Sequence, residues 1–323
     1  MAFTLFPSNK IANIVIKDHA IRYVGVKRSN PITVQKFREK YLPPGIIQDG
    51  KIIERDTLHL ILEECVTDWG IKNAQVQFII PDPFVVIRKI SIPNDVKDDE
   101  IIGYIYLELG ATIHLPFSEP VLDFKVLSED EKKKEVLIFA APEDIAFEYS
   151  SLLEDVSLKP IAADISPLCM YRLFHFCQKT NGEEHSLLLQ FDLQSANLSI
   201  FHQDIPLFMR HLTLETSLDD WAIQPNSSNT LAVIKWNSHQ SKLEVLMDEM
   251  IKEIEHVMNF YSFNMTQGKE RISKILVSGD HPNLPDISSI LIERYEIPVH
   301  KIDNFDKLPS HYYLPLGLAL KEV

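Results

Sequence analysis

The sequence repeats one order of predicted elements. Residues 11–41 contain three runs of alternating apolar and polar residues, which is typical of a meander of three β-strands. A helical pattern in 56–69 and a strand pattern in 74–81 follow. The same order returns in 187–280, where three strand patterns precede a long helix pattern and a further strand. We therefore expect an α/β fold with two similar halves.

An additional unit interrupts the first repeat. It combines a strand pattern in 83–93, a helix pattern in 95–113 that acidic residues open, and a hairpin pattern in 120–142. We predict a first subdomain in 1–82, an inserted small subdomain in 83–145, a return to the first domain in 146–184, and a second domain in 185–323, whose last helix (312–323) packs back on the first domain. Ser241 and Glu244 form a capping-box pattern for a helix in 241–263. Residues 221–240 are rich in Asn and Ser and are expected to be mostly irregular.

The meander in 187–212 has the layout of a phosphate-holding hairpin but lacks its usual residues. Such a hairpin has an acid at the end of its first strand and glycine in each turn, whereas this strand ends in Gln190 and neither turn contains glycine. The whole chain has 10 glycines in 323 residues, which is less than half the usual fraction of about 7%. The GxGxxG, HExxH and GxSxG motifs are also absent. Few loops can therefore bring backbone N–H groups close to a phosphate.

Charge and cysteine content indicate the class of partner and the compartment. The net charge of −14 argues against nucleic acid, which requires a concentrated basic face. Lys132, Lys133 and Lys134 are flanked by acids and are interpreted as a solvated hairpin tip rather than a lipid or phosphate patch. Three cysteines without a CxxC pair favour a reducing compartment. Neither a signal peptide nor a transmembrane helix is expected.

One helix carries residue types that metal sites use. Cys169, His175 and Cys177 are close in sequence, within an apolar helix pattern. Packing inside a core is favoured over metal binding, because buried cysteine is common in apolar helices. We therefore expect no metal site there.

A set of short motifs resembles one protein family. These motifs lie in 42–52, 85–93, 115–124, 139–145, 206–210, 275–279 and 316–320 and together span nearly the whole chain. By these motifs the chain is similar to the PilM family of type IV pilus assembly proteins, which are relatives of the division protein FtsA. The resemblance implies an actin-like (ribonuclease H-like) duplicated two-domain fold, with an inserted α+β subdomain in the first half.

The nucleotide motifs of that family are altered here. The first phosphate loop, G-I-D-I-G-S in the family, corresponds to 13–18, and the second, D-I-G-x, corresponds to 190–193. Acids have become Val15 and Gln190, and glycines have become Lys17 and Asp192. By resemblance, the degenerate nucleotide site comprises Val15, Lys17, Asp18, Gln190, Asp192, Ser195, Ser278 and Gly279. We expect a pseudo-ATPase with no catalytic residue, metal or cofactor, and ATP with Mg²⁺ is the alternative ligand.

The resemblance also implies a function and a partner. Family members receive the N-terminal cytoplasmic peptide of a PilN-like inner-membrane protein, as an extended segment, in a groove of the first and inserted subdomains. The residues predicted to bind it are Pro43, Gly45, Ile46, Arg88, Ile90, Ile92 and Pro93, each of which could equally be a core or turn residue. The chain is then a scaffold in the bacterial cytoplasm that reaches the inner membrane through its partner and contacts other assembly proteins.

Other functions use the same fold. An ATP-binding switch without fast hydrolysis would need saturable nucleotide binding, and a sugar or acid kinase would need intact phosphate loops and a catalytic base. A polymerising filament rests on fold analogy alone. Competence and secretion systems are built with similar parts, so they share this prediction with pilus assembly.

Overall fold

A computed structural model describes residues 11–27, 32–225, 232–303 and 305–322. The strands are β1 (Ile11–Lys17), β2 (Ala20–Lys27), β3 (Thr33–Tyr41), β4 (Ile47–Gln48), β5 (Lys51–Ile52), β6 (Gln75–Ile79), β7 (Val86–Pro93), β8 (Pro120–Glu129), β9 (Lys133–Pro142), β10 (Lys159–Asp164), β11 (Ser186–Phe191), β12 (Ser195–His202), β13 (Ile205–Thr213), β14 (Trp221–Pro225), β15 (Ala232–Trp236), β16 (Lys274–Gly279) and β17 (Val299–His300). The helices are α1 (Arg55–Trp69), α2 (Ile101–Glu108), α3 (Glu143–Asp155), α4 (Ser166–Phe176), α5 (Gln240–Asn259), α6 (Leu284–Arg294) and α7 (Tyr313–Ala319).

Contacts divide the described residues into two units. The first draws on Met1–Ile79, Tyr149–Leu173 and Asp303–Val323, and the second on Ile80–Glu148 and Phe174–Ile302. The second unit thus includes the segment predicted as an inserted subdomain. The predicted domain boundaries, including those that begin at residue 1 outside the described ranges, stay a prediction.

The first unit contains a five-stranded sheet in the order β10-β6-β1-β2-β3. β1, β2 and β3 form the antiparallel meander, and β6 and β10 continue the sheet in parallel with β1. α7 packs on β1 and β2, and every residue of α7 is buried. A Cβ atom at Gly317 would lie 2.2 Å from the carbonyl oxygen of Cys169. Glycine at this position therefore allows α7 to touch α4.

A buried ion pair lies within this unit. The Nε atom of Arg22 is 2.6 Å from a carboxylate oxygen of Glu39, and both side chains are 2% exposed. The Nη2 atom of Arg22 is 3.4 Å from Nε2 of His19, and Nε2 of His311 is 3.9 Å from the Glu39 carboxylate. Because water is excluded, the two charges depend on each other.

The second unit repeats the same sheet topology. Its five strands have the order β13-β12-β11-β16-β17, again a meander followed by two parallel strands. The sequence repeat is therefore a structural repeat, as predicted. The apolar stripe of α5 faces the core, which is why Met250, Ile254 and Val257 are each no more than 3% exposed.

Two predictions about the segment before and within α5 are wrong. α5 begins at Gln240 with His239 as its N-cap and without a side-chain cap, so the expected capping box of Ser241 and Glu244 does not form. The helix starts early enough that Ser241 already lies in its first turn. The segment expected to be irregular in 221–240 contains the paired strands β14 and β15, and 226–231 lies outside the described residues. Cross-strand pairing here overrides the polar composition.

The inserted segment forms a three-stranded sheet with the order β7-β9-β8. α2 packs on it through Ile101 and Ile105, against Val136 and Ile138 of β9. α2 is shorter than the predicted helix in 95–113 and begins at Ile101, so the acidic residues precede it instead of filling its first turn. One of these acids, Asp98, is 2.8 Å from the Nζ atom of Lys134.

The lysine-rich hairpin differs from the sequence-based interpretation. The side chain of Lys134 is only 9% exposed, because its ammonium group is held by Asp98 and lies 4.0 Å from Glu129. Lys133 extends into solvent at 52% exposure and contacts Glu135. The expected solvated tip is thus wrong for Lys134.

Candidate functional site

The turn between β1 and β2 holds the first altered phosphate loop. Val15 is buried in β1, Lys17 ends that strand, and Asp18 lies in the turn. The Asp18 carboxylate accepts hydrogen bonds from the backbone N–H groups of Asp49 at 2.7 Å and Gly50 at 3.1 Å. Burial raises the pKa of Asp18, and these two donors oppose the rise. Asp18 therefore secures the turn between β4 and β5.

The turn between β11 and β12 holds the second altered loop. Gln190 is buried near the end of β11, and the N–H group of Asp192 donates to the carbonyl of Ser195 at 2.8 Å. The hydroxyl of Thr216 donates to the carbonyl of Leu193 at 3.1 Å. The loop is therefore held by its own backbone and by the chain that follows β13.

The end of β16 lies against the end of β11. Ser278 is buried, with no hydrogen-bond partner for its hydroxyl among the described residues, and Gly279 is paired in register with Phe191. Gly279 has φ of 124°, and a Cβ atom there would lie 2.0 Å from the Phe191 carbonyl oxygen. The same oxygen accepts hydrogen bonds from the N–H groups of Asp280 and His281, both at 3.0 Å. Only glycine permits this approach of the two strand ends.

The predicted nucleotide residues form two separate sets. Gln190, Asp192, Ser195, Ser278 and Gly279 lie at one end of the sheet in the second unit. Residues 15–18 belong to the first unit. The two sets occupy corresponding strand–turn segments because both halves share one topology, and their role as a degenerate nucleotide site stays a prediction.

These two sets lack the residue types with which the family motifs fit a magnesium-bound nucleotide. Such a site needs carboxylates to organise Mg²⁺ and loops whose N–H groups face the phosphates. Val15 and Gln190 supply a hydrocarbon and an amide instead of carboxylates, and Asp192 adds a side chain where glycine is expected. Among the described residues, no group of three or more His, Cys, Asp or Glu is placed to hold a metal ion.

His281 is a buried residue of this region that the sequence analysis missed. Its ring is 5% exposed, and Nδ1 accepts a hydrogen bond from the N–H group of Asn283 at 3.1 Å. The ring also meets Trp221 edge-on at 5.1 Å. Burial lowers the pKa of His281 to about 4, so the ring is neutral near pH 7. Its position directly after the β16 strand end was the available signal.

The predicted partner-binding residues of the first unit differ in exposure. Pro43 and Gly45 are exposed in the link that follows β3, and Gly45 has φ of 87°. Ile46 is 4% exposed, and its carbonyl accepts the N–H groups of Ile53 and Glu54. Ile46 is therefore a core residue, and Pro43 and Gly45 stay predicted contacts.

The predicted partner-binding residues of β7 also divide. Ile92 is 1% exposed and Ile90 packs against the same core beneath α2, so both hold the inserted segment together. Arg88 and Pro93 are exposed, and a guanidinium N–H of Arg88 donates to the carbonyl of His114. Alternation along the strand explains why Ile90 and Ile92 share the buried face.

The other face of β7 carries a polar cluster that the motifs did not single out. The Glu135 carboxylate lies 3.1 Å from Nζ of Lys89 and 2.7 Å from Nζ of Lys133, and it accepts a hydrogen bond from the Ser91 hydroxyl at 2.5 Å. The Lys133 and Ser91 contacts are the main causes that lower the pKa of Glu135 to about 2. The carboxylate thus stays charged at this sheet surface.

Cys169, His175 and Cys177 are not among any described group of residues placed to hold a metal ion. Cys169 is fully buried in α4, and burial raises the pKa of its thiol well above the usual value. Cys177 is half-buried, while His175 lies 3.7 Å from the carboxylate of Asp204. Packing accounts for Cys169, and His175 lies beside the carboxylate of Asp204.

No helix among the described residues is long and apolar enough to cross a membrane. A comparison with curated proteins finds no match. Among solved structures, the chain is similar to one described as a PilM-PilN type IV pilus biogenesis complex, with a TM-score of 0.77 and 18% identity, over 97% of this chain and 98% of the other.

Two further structures share the fold at lower similarity. One is the ethanolamine utilization protein EutJ from Carboxydothermus hydrogenoformans, with a TM-score of 0.54, 10% identity, and coverage of 96% of this chain and 88% of that one. The other is a Bacteroides thetaiotaomicron protein with an actin-like ATPase fold, with a TM-score of 0.53, 10% identity and full coverage of both chains. The actin-like fold inferred from the motifs is thereby confirmed.

The family follows from the sequence itself. The family model described as "Type IV pilus assembly protein PilM" matches residues 14–312, which is most of the chain. This span includes the inserted segment, the second altered phosphate loop, residues 14–18 of the first, and every strand except the first three residues of β1. The chain therefore belongs to the PilM family of type IV pilus assembly proteins.

Proposed function

We propose that this protein is a non-catalytic scaffold of type IV pilus assembly that binds the N-terminal cytoplasmic peptide of a PilN-like inner-membrane protein. The observation that carries the proposal is the similarity in fold to a PilM-PilN complex over 97% of the chain. The protein then works at the cytoplasmic side of the inner membrane, which it reaches through this partner.

The altered loops support a scaffold rather than an ATPase. The Asp18 carboxylate is engaged by the N–H groups of Asp49 and Gly50, and the Phe191 carbonyl is engaged by those of Asp280 and His281. These bonds stabilise the loops without a ligand. Hydrolysis would also need an acid to organise Mg²⁺ and position water, and Val15 and Gln190 cannot do this.

The peptide is expected to bind in an extended conformation, with side chains and backbone both in contact. Four of the predicted partner-binding residues are exposed: Pro43 and Gly45 in the first unit, and Arg88 and Pro93 in the second. Arg88 is the residue of these four whose side chain can donate hydrogen bonds to a peptide, so its substitution tests the proposed contact.

Isothermal titration with a synthetic peptide of the partner's cytoplasmic N-terminus tests the partner. We expect saturable binding that Arg88→Ala weakens about tenfold, which corresponds to one charge-assisted hydrogen bond. Lys125→Ala is the matched control, because Lys125 is exposed on the same three-stranded sheet. Circular dichroism establishes that both variants are folded. If the peptide fails to bind wild-type protein, the proposed partner is wrong.

A titration with a fluorescent ATP analogue, with and without Mg²⁺, tests the non-catalytic role. We expect no saturable binding. Binding that unlabelled ATP competes away at micromolar concentration would contradict this and support the ATP-binding switch. Release of phosphate from ATP at a rate above that measured without protein would show that the protein is an ATPase.

A further inference from the structure

A cavity of about 610 Å³ lies in the first unit, away from the altered phosphate loops. It is lined by the first residues of three parallel strands, Ile11 of β1, Gln75 of β6 and Lys159 of β10. Asp18 follows the opposite end of β1. Since a strand rises about 3.3 Å per residue, roughly 20 Å of β1 separates the cavity from the phosphate-loop turn. The cavity is therefore a separate feature.

The lining of this cavity has a charge opposite to that of the whole protein. It includes Lys36, Lys72 and Lys159 and no Asp or Glu, although the chain has a net charge of −14. No described residue forms an ion pair with Lys72 or Lys159. The ammonium group of Lys36 donates to the carbonyl of Trp69 at the end of α1. Because an ammonium group has three N–H donors, Lys36 keeps donors for a ligand.

Two aromatic residues contribute to the lining of the cavity. The rings of Tyr23 and Trp69 are stacked, with centroids 5.8 Å apart and planes 15° apart. Both residues line the cavity while they are 6% and 5% exposed, so the packing around them holds the rings in place and only a small part of each faces the cavity. This part adds apolar surface to the lysine-bearing lining.

The backbone beside the lysines is held in place by hydrogen bonds. The N–H group of Lys159 donates to the carbonyl of Ala74 at 2.9 Å, and that of Asn73 donates to the carbonyl of Ser157 at 2.7 Å. The N–H group of Ala74 donates to the carbonyl of Ile71 at 3.0 Å, which closes the turn that carries Lys72. The backbone that carries these lysines is therefore in place before any ligand binds.

We propose that this cavity binds a small organic anion that carries an apolar group. Lys72 and Lys159 bind its carboxylate, phosphate or sulfonate group, and its apolar group contacts the apolar lining, to which Tyr23 and Trp69 contribute. The cavity has the size typical of small-molecule sites, roughly 300–1,000 Å³. Binding here is independent of the peptide partner and of the phosphate-loop residues, none of which lines the cavity.

The experiment compares two probes with one ring system. The anionic probe is 8-anilinonaphthalene-1-sulfonate, and its neutral counterpart is N-phenyl-1-naphthylamine. Binding to the full chain is followed by the ¹H–¹⁵N signals of the indole groups of the three tryptophans. The signal of Trp69 is assigned with Trp69→Phe. We expect the anionic probe to shift this signal saturably and the neutral probe to bind about tenfold more weakly.

Paired lysine variants separate this site from the rest of the surface. Lys72→Gln with Lys159→Gln is expected to weaken the anionic probe about tenfold, because two partly solvated ion pairs are lost. Lys252→Gln with Lys269→Gln changes net charge equally at exposed positions of the second unit and is expected to leave binding unchanged. The proposal is overturned if both double variants bind alike, if the neutral probe binds as tightly, or if only the other indole signals shift.

Discussion

Gly279→Ala is the substitution whose effect the geometry defines best. A Cβ atom at this position would lie 2.0 Å from the oxygen, 2.6 Å from the nitrogen and 2.7 Å from the carbonyl carbon of Phe191. All three are backbone atoms at the paired ends of β11 and β16, so the clash cannot be relieved by a flexible side chain that moves away. The φ of 124° is also a conformation that side chains disfavour. The ends of β11 and β16 must therefore separate.

The expected loss of stability has two parts. Holding alanine in this backbone conformation costs about 1–2 kcal/mol. Separation of the strand ends also weakens the hydrogen bonds from Asp280 and His281 to the Phe191 carbonyl, at about 0.5–1.5 kcal/mol each. The total is about 2–5 kcal/mol, which is a large share of the roughly 5–15 kcal/mol that stabilises a typical domain.

Two other glycines separate these parts. Gly268 has φ of 79°, and a Cβ atom added there would have no other atom within 4 Å, so Gly268→Ala measures backbone strain without a clash. Gly103 lies in α2 with open space and no positive φ, and Gly103→Ala should stabilise the helix by about 0.5–1 kcal/mol. Equilibrium urea unfolding, followed by circular dichroism, compares the three variants with wild type.

The order of the three midpoints decides the outcome. We expect Gly279→Ala to be less stable than Gly268→Ala by about 1–3 kcal/mol, the contribution of the two weakened hydrogen bonds. Equal midpoints for these two variants would refute the reasoning, because they would mean that the close approach to Phe191 carries no free energy. A midpoint for Gly103→Ala above that of wild type would show that the assay resolves changes this small.

Two further predictions concern buried charge. Burial lowers the pKa of His281 from 6.5 to about 4, so between these pH values the unfolded state binds a proton that the folded state does not. The contribution of His281 to the free energy of unfolding is therefore complete above pH 6.5 and falls by about 3 kcal/mol as the pH drops to 4. Urea midpoints from pH 4 to 7 should show a steeper acid loss in wild type than in His281→Gln, and parallel profiles would contradict this assignment. Arg22→Met leaves the Glu39 carboxylate buried without its ion pair, so we expect a loss of about 3–5 kcal/mol that Arg22→Met with Glu39→Met largely restores. All are compared by equilibrium urea unfolding, with exposed Arg38→Met as the control, and a loss for Arg38→Met as large as that of Arg22→Met would count against the buried pair.

The local pattern of residues was sufficient to predict the repeated architecture. Alternation of apolar residues predicted β1, β2 and β3, and short apolar runs separated by polar turns predicted their counterparts β11, β12 and β13. The altered phosphate loops could also be predicted from sequence, since each is a short segment beside a strand, and their assignment stays a prediction. These features depend on neighbours in sequence.

Long-range packing decided which of the predicted contact residues are exposed. The residues next to Ile46 and Ile92 in sequence are also compatible with exposed positions, yet both side chains are buried. Ile92 packs in one cluster with Ile101 and Ile105 of α2, so the position of that helix decides which face of β7 is buried. Sequence periodicity gives the alternation of two faces but does not say which face is covered.

The sequence by itself determined the duplicated fold, the family and the loss of the phosphate-loop acids and glycines, because each is written in short stretches of residue types. The tertiary structure alone decided that Gly279 approaches Phe191, that Arg22 is buried with Glu39, and that lysines of different elements surround one cavity. These relations join residues far apart in the chain. Their geometry is set by how the strands pair and the helices pack, which no local pattern encodes.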